Sequence, residues 1–280
     1  MSDFCQLLLV KMKSLVVYCL LNLVFLLSCT AQVIQTVFSL QLYLDCTQIR
    51  AHVPRARSGV YLIRPPGVRI PFKVYCEMRR DGGWTVIQKR IGGAVSFNRN
   101  WAAYKYGFGF IPRNHWLGLN RVFSLTRFRT WTMRVDLWDH EGASAYAEYR
   151  NFRVENEHAN FKLHVGRYSG NAGDAIRGAY PCIDQNGFAF STIDRDNDGC
   201  SPCIFDDIPQ TKCVRSDEGG WWYSSCGSAS LNGKWQSAGD HIFRRSGLNW
   251  FNWKAPVPYS MRASRMMIKY GQEEPVVLEQ

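Results

Sequence analysis

Carboxylates on alternate residues give this 280-residue chain its most specific chemistry. In Asp194-Arg195-Asp196-Asn197-Asp198-Gly199, acidic side chains separated by single residues can converge, and converging oxygens are what a hard cation such as Ca2+ requires. Downstream lie Cys213, then Gly219-Gly220-Trp221-Trp222-Tyr223, then Cys226, so two cysteines bracket a glycine-aromatic wall. The acidic spacing begins like a helix–loop–helix calcium loop, but the twelfth position is Phe205, where that loop needs a bidentate glutamate. The preceding Phe188-Ala189-Phe190-Ser191-Thr192 also reads as strand, so a cation-binding turn of another kind is expected.

Catalytic signatures do not emerge. His140-Glu141 lacks the second histidine of a zinc-protease helix, no Gly-X-Ser-X-Gly elbow occurs, and the histidines are scattered. The reading is that the chain is not an enzyme.

The elements around these residues belong to an exported protein. Lys11 and Lys13 precede an apolar run, Leu15-Val16-Val17-Tyr18-Cys19-Leu20-Leu21, that continues through Val24-Phe25-Leu26-Leu27 and ends at Ser28-Cys29-Thr30-Ala31. Basic start, apolar middle and small-residue end describe a signal peptide over residues 1–31, cleaved after Ala31. Asn22 interrupts the run, which is short for a bilayer span, so no membrane span is expected. Residues 32–45 read as a short linker without coiled-coil or collagen periodicity, 46–270 as the folded domain and 271–280 as a tail.

Lys and Arg number 34 against 23 Asp and Glu, but the excess is spread thinly and forms no basic run of the nucleic-acid type. No nucleic-acid partner is expected; acidic glycans or anionic cell surfaces would suit the charge. Three of the ten cysteines leave with the signal, so seven remain. An oxidising compartment favours pairing them, and the odd one reaches another chain or stays free. Cys-X-X-Cys at Cys200 and Cys203, followed by Cys213 and Cys226, is also a zinc spacing, which export disfavours.

Period-2 alternation marks strands at Phe72–Met78, Trp131–Leu137 and Phe161–Val165, punctuated by Gly82-Gly83, Gly92-Gly93 and Gly219-Gly220. Phe97–Tyr106 reads as a short helix, and residues 181–239 as a long irregular, functional region.

Taken in order, Cys46, Ser58-Gly59-Val60-Tyr61-Leu62-Ile63, Val74-Tyr75-Cys76-Glu77-Met78 and Asp81-Gly82-Gly83-Trp84-Thr85-Val86-Ile87-Gln88-Lys89-Arg90 open a pattern. His115-Trp116-Leu117-Gly118-Leu119-Asn120, Tyr168-Ser169-Gly170-Asn171-Ala172-Gly173-Asp174, the acidic turn, Gly220-Trp221-Trp222-Tyr223, Leu231-Asn232-Gly233 and Met267-Ile268-Lys269-Tyr270 continue it. Over roughly Asp45 to Tyr270 the chain resembles the fibrinogen C-terminal (fibrinogen-related) domain family, and is most similar to its secreted fibrinogen-like and angiopoietin-like members. The resemblance implies an α+β fold: a disulfide-closed N-terminal lobe, a central twisted antiparallel sheet with short helices, and an irregular C-terminal lobe stabilised by disulfides and calcium.

It also implies bridges Cys46–Cys76 and Cys213–Cys226, and Ca2+ held by Asp196 and Asp198 with the Cys200 backbone carbonyl nearby. Asp194 would stand behind those ligands. In acetyl-group-binding members the residue after the second loop cysteine is His and a Tyr lies four beyond the first; here these are Gly227 and Asp217. In the knob-binding hole of the fibrinogen γ type a second acidic position falls near Arg245, whose cation would repel an amino-terminal knob. Trp221, Trp222, Tyr223, Trp235, Trp250 and Trp253 could line an aromatic cleft.

The implied function is that of a secreted, extracellular, calcium-stabilised ligand for a protein receptor or surface partner. The alternative is an innate-immune lectin for acetylated or acidic glycans. Cys200 and Cys203 are too close in sequence to bridge comfortably unless the turn at Ser201-Pro202 is tight. Cys182 is therefore expected to pair with one of them, leaving the other exposed to form a disulfide-linked homodimer.

Overall fold

Alternating side chains become strands wherever one face can be buried. The computed structural model describes Tyr18, Leu20 and residues 22–26, 42–178, 183–205, 208–210, 212–239, 247–254 and 259–271. The chain divides into two compact units, residues 1–42 and 43–280. In the first, Tyr18, Leu20 and residues 22–26 are helical and exposed, and no described helix is long and apolar enough to cross a membrane.

The second unit is built on one antiparallel sheet. Its principal strands are β1 (Gly59–Ile63), β2 (Phe72–Arg79), β3 (Gly82–Arg90), β6 (Trp131–Trp138), β7 (Ser144–Val154) and β14 (Ala263–Tyr270). The order runs β1-β2-β3-β14-β6-β7, so the last strand inserts between β3 and β6 and closes the sheet with both neighbours. Short strands β4 (Phe108–Gly109), β5 (His115–Trp116), β8 (Leu163–His164) and β9 (Tyr168–Gly170) extend it. The C-terminal lobe adds two ribbons, β10 (Cys203–Phe205) with β11 (Ile208–Gln210) and β12 (Ala229–Ser230) with β13 (Asn249–Trp250).

Helices are short, and side chains cap the first two. In α1 (Cys46–His52) the Asp45 carboxylate accepts the Gln48 amide, in α2 (Trp101–Tyr106) the Asn100 side chain accepts that of Ala103, and α3 (Leu119–Thr126) buries Leu119, Val122 and Leu125 on one face. The helix expected over Phe97–Tyr106 begins only at Trp101. Tyr43 already bridges Ile63 and accepts the Arg64 amide, so the fold takes up residues from the stretch read as linker. The strand expected over Phe161–Val165 shrinks to Leu163–His164 because Asn160 and Phe161 are left-handed, at φ 51° and 52°.

One sheet face packs on the main core, with Val74, Cys76, Ile87, Met133, Val135 and Ile268 among its fully buried side chains. The other carries a small apolar layer of Trp84, Val86 and Met267 with Tyr75 at its edge. Beside that layer runs a row of ion pairs: Glu77–Arg265 at 2.6 Å, Arg265–Asp136 at 2.7 Å, Asp136–Arg134 at 2.7 Å and Arg134–Glu148 at 2.7 Å. Arg79 adds a third cation to Asp136 at 3.1 Å.

Candidate functional site

The C-terminal lobe is fastened to the sheet by two polar side chains at the end of β3. Gln88 Nε2 donates to the Leu231 carbonyl, to Asn232 Oδ1 and to Ser264 Oγ. Arg90 donates to the Gly233 carbonyl and lays its guanidinium 4.0 Å from the Phe97 ring centroid. Burial holds the Arg90 pKa down at about 10. These contacts fix residues 231–233, and Asn232 Nδ2 in turn donates to the Gly220 carbonyl.

Gly220 then sets the Trp-Trp segment against the core. Its amide donates to the Tyr104 hydroxyl, and a Cβ there would stand 2.7 Å from the Tyr104 ring and 2.8 Å from that of Phe190. Only glycine lets the backbone approach so closely. Trp221 bridges Ser191 backbone to backbone and donates its indole N–H to Gln185 Oε1, while Trp222 donates its own to the Phe161 carbonyl. Trp221, Trp222, Tyr223 and Trp250 are buried at 0–1 % exposure. The expected aromatic cleft is thus corrected for these four: their rings fill the interior, where rings satisfy both apolar area and one N–H or O–H each. Trp235 and Trp253 remain partly buried at the surface of the core.

The acidic turn is anchored on the same wall. Asn197 donates its side-chain amide to the Phe190 carbonyl and its backbone N–H to the Ser191 hydroxyl, and Gly199 N–H donates to the Ser224 carbonyl. Asp194 is taken up by donors of the protein itself. Its Oδ1 accepts the Trp101 amide at 2.8 Å and the Thr192 hydroxyl, so it holds the start of α2. Asp196 and Asp198 have other partners. Asp198 takes the Cys200 amide on Oδ1 at 2.9 Å and the Cys213 amide on Oδ2 at 2.8 Å. Burial pushes the Asp198 pKa up, the two amides pull it down, and the negative charge of Asp196 pushes it up again.

Two carboxylates whose charges oppose each other, each with lone pairs to spare, fit a hard cation. The lobe already supplies one cation of its own, since Lys212 Nζ stands 3.9 Å from Asp196 Oδ2. The Cys200 carbonyl belongs to the same turn.

Among the described residues three disulfides are formed: Cys46–Cys76, Cys213–Cys226 and Cys200–Cys203. The first two are the pairs the family resemblance implied. The third corrects the expectation that Cys182 takes Cys200 or Cys203. The Cys200 and Cys203 Cα atoms stand 4.8 Å apart, inside the bridging range. Cys182 lies outside the described residues. The bridges also answer the zinc spacing: Cys200, Cys213 and Cys226 do converge, within 4.8 Å, but as disulfide sulfurs and not as thiolates.

Of the positions implied to line a ligand pocket, Gly227 is the most informative. It follows left-handed Cys226 (φ 60°), is itself at φ 66°, and a Cβ there would fall 2.1 Å from Gln185 Nε2. Gln185 is fully buried and donates to the Ala229 carbonyl while accepting from Trp221. It thereby fills the space in which a side chain at 227 would sit. No sequence signal marked Gln185, which lies far from the Cys213–Cys226 loop along the chain. Asp217 ends helix α4 (Cys213–Asp217), its side chain outside the described residues, as is Arg245.

The sheet order, the fastened lobe and the cysteine-bracketed Gly-Trp-Trp wall define a fibrinogen-type globe. Residues 42–270 match the family of fibrinogen beta and gamma chains, C-terminal globular domain, and the chain belongs to it.

Among relatives, human angiopoietin-4 is 41% identical over 230 residues, covering 82% of this chain and 42% of that protein. Bovine fibrinogen-like protein 1 is 37% identical over 235 residues, covering 81% of this chain and 72% of that one. The chain thus spans less than half the length of angiopoietin-4. The fibrinogen-like globe domain of human ANGPTL2 superposes with a TM-score of 0.73 at 37% identity, covering 82% of this chain and 100% of that domain. A lamprey fibrin D-dimer complexed with the peptide Gly-His-Arg-Pro-amide gives 0.72 at 26% identity, covering 96% and 92%.

Proposed function

We propose that the chain is a secreted, non-enzymatic extracellular ligand whose C-terminal lobe binds a protein receptor, with the acidic turn stabilised by calcium. The observation that carries this reading is Gln185 packed against Gly227. The cavity in which acetyl-binding relatives would place a histidine is taken up by an internal side chain, which favours recognition through the lobe's outer surface over capture of a small sugar. Likeness to angiopoietins and to angiopoietin-like globes supports the same choice. Export rests on the amino-terminal segment read as a signal peptide and on three disulfides, which persist in oxidising compartments.

Calcium, when bound, would neutralise the like charges of Asp196 and Asp198 and so hold the turn beneath Cys200 and Cys213. The chain's own groups do the rest: Asp198 fixes both cysteine amides, and Asn197 pins the turn to the wall. The test is a cell-surface receptor screen beside a glycan array, each with calcium and with chelator. Saturable binding to a surface protein supports the proposal. Retention on N-acetylated sugars, released by free N-acetylglucosamine, would establish the lectin alternative instead.

A further inference from the structure

Two disulfides touch each other under the acidic turn. Cys200 Sγ is bonded to Cys203, yet it stands 3.4 Å from Cys213 Sγ and 3.5 Å from Cys226 Sγ. Exposure divides the four sulfurs. Cys200, Cys213 and Cys226 are buried, whereas Cys203 is half-buried between exposed Pro202 and Ile204, the latter 70 % exposed. We infer that Cys203 is a covalent acceptor site for a low-molecular-weight thiol, and that Cys200 relays the exchange to the Cys213–Cys226 bridge.

The electron count follows from thiol–disulfide exchange. A thiolate of the external thiol attacks Cys203 Sγ, the accessible end of its bridge. The new bond joins the external sulfur to Cys203, the Cys200–Cys203 bond breaks, and the electron pair leaves on Cys200 Sγ. That leaving thiolate cannot diffuse away, because Asp198 holds the Cys200 amide and the side chain is buried. Its Sγ lies in contact with both sulfurs of the Cys213–Cys226 bridge, at 3.4 and 3.5 Å, and attack on either requires the side chain to swing into line with that bond. Attack there forms Cys200–Cys213 or Cys200–Cys226, breaks Cys213–Cys226, and leaves the electron pair on the remaining sulfur, which takes a proton from water. One thiol is consumed and one released, with no net oxidation.

The position of the pair gives the exchange a consequence for the lobe. Cys213 starts α4, Cys226 ends the segment carrying Trp221–Tyr223, and both Cys200 and Cys213 hang from Asp198. Breaking Cys213–Cys226 in exchange for a bond to Cys200 therefore loosens the tie between the acidic turn and the wall. This inference does not depend on calcium or on any receptor.

The test uses the secreted protein and glutathione as the thiol. Trypsin cuts at Arg195, Lys212, Arg215 and Lys234, which puts Cys200 and Cys203 in one peptide (196–212), Cys213 in a second (213–215) and Cys226 in a third (216–234). Untreated protein gives the second and third peptides joined. After glutathione and acid trapping with N-ethylmaleimide, the expected map has glutathione on Cys203, peptide 196–212 joined to 213–215 or to 216–234, and maleimide on the released cysteine. Glutathione on Cys203 with Cys200 alkylated and the Cys213–Cys226 link intact would overturn the relay. Glutathione appearing first on Cys213 or Cys226 would overturn the acceptor site. The variant Cys203→Ser gives a second reading without added thiol: peptide 196–212 should be joined to one of the other two, and an alkylated Cys200 beside an intact native link would count against the relay. An arm with concentrated protein and no glutathione distinguishes the source of the thiol, since a second copy of the chain in that role would give a dimer joined through Cys203.

Discussion

Gln185 occupies the place that any side chain at Gly227 would need, with its Nε2 only 2.1 Å from the Cβ such a residue would carry. The two residues lie on different segments and are brought together by the hydrogen bonds of Gln185 to Ala229 and Trp221. The backbone at 227 is also left-handed, at φ 66°, which disfavours every residue but glycine.

Introducing the histidine of the acetyl-binding relatives should therefore damage the lobe without creating a sugar site. Gly227→His is expected to cost about 1–3 kcal/mol from crowding and backbone strain. The double variant with Gln185→Ala should recover part of that loss. Urea denaturation measures both, and retention of Gly227→His on an acetylated-sugar resin would show that the imidazole alone suffices.

Asp136 is the hub of the ion row on the second sheet face, accepting Arg79, Arg134 and Arg265 from an 8 % exposed side chain. Removing it leaves Arg134 and Arg265, each 14 % exposed, facing each other without the charge between them. Asp136→Ala should destabilise by about 2–4 kcal/mol, below the cost of breaking a fully buried pair because water reaches the arginines. The single variants Glu77→Gln and Glu148→Gln, at the ends of the row, should cost less than half as much.

Glu157 gives a pH signature. Lys105 Nζ stands 2.7 Å from its Oε2 and the Trp101 indole donates to its Oε1 at 2.9 Å, and these two hydrogen bonds hold its pKa below the ordinary 4.5. A carboxyl whose pKa is lowered by folding stabilises the fold above its unfolded pKa and loses that contribution as pH falls through the folded value. Wild type should melt about 1–3 °C above Glu157→Gln at pH 7, as befits a partly exposed pair. The gap should close below about pH 4.5, and a gap that widens on acidification would contradict the assignment.

Calcium should raise the melting temperature through Asp196 and Asp198. A ligand bound only by the native state adds roughly 2.7 kcal/mol at a hundredfold excess over its dissociation constant. The shift between calcium and chelator is expected in wild type and should vanish in Asp196→Ala. Lys212→Ala removes the ammonium that stands 3.9 Å from Asp196 and should enlarge the shift by strengthening binding.

What the sequence determined by itself was whatever follows from local pattern. Alternation fixed β2 and β6 almost to the residue, because a half-buried strand must repeat every second side chain. The ordered motifs identified the globe and, through it, the pairs Cys46–Cys76 and Cys213–Cys226. The acidic turn was legible as chemistry because its carboxylates are neighbours in the chain. Tertiary structure decided everything that joins distant segments. Whether Trp221 and Trp222 line a cleft or fill the core depends on Tyr104, Phe161, Phe190 and Gln185, none of them near in sequence. Asp194, indistinguishable in the string from Asp196 and Asp198, turns to the amide of Trp101 because the fold presents an unsatisfied helix start there. Cys200 took Cys203 and came to rest against Cys213 and Cys226 through the path of the backbone, which residue spacing alone does not specify.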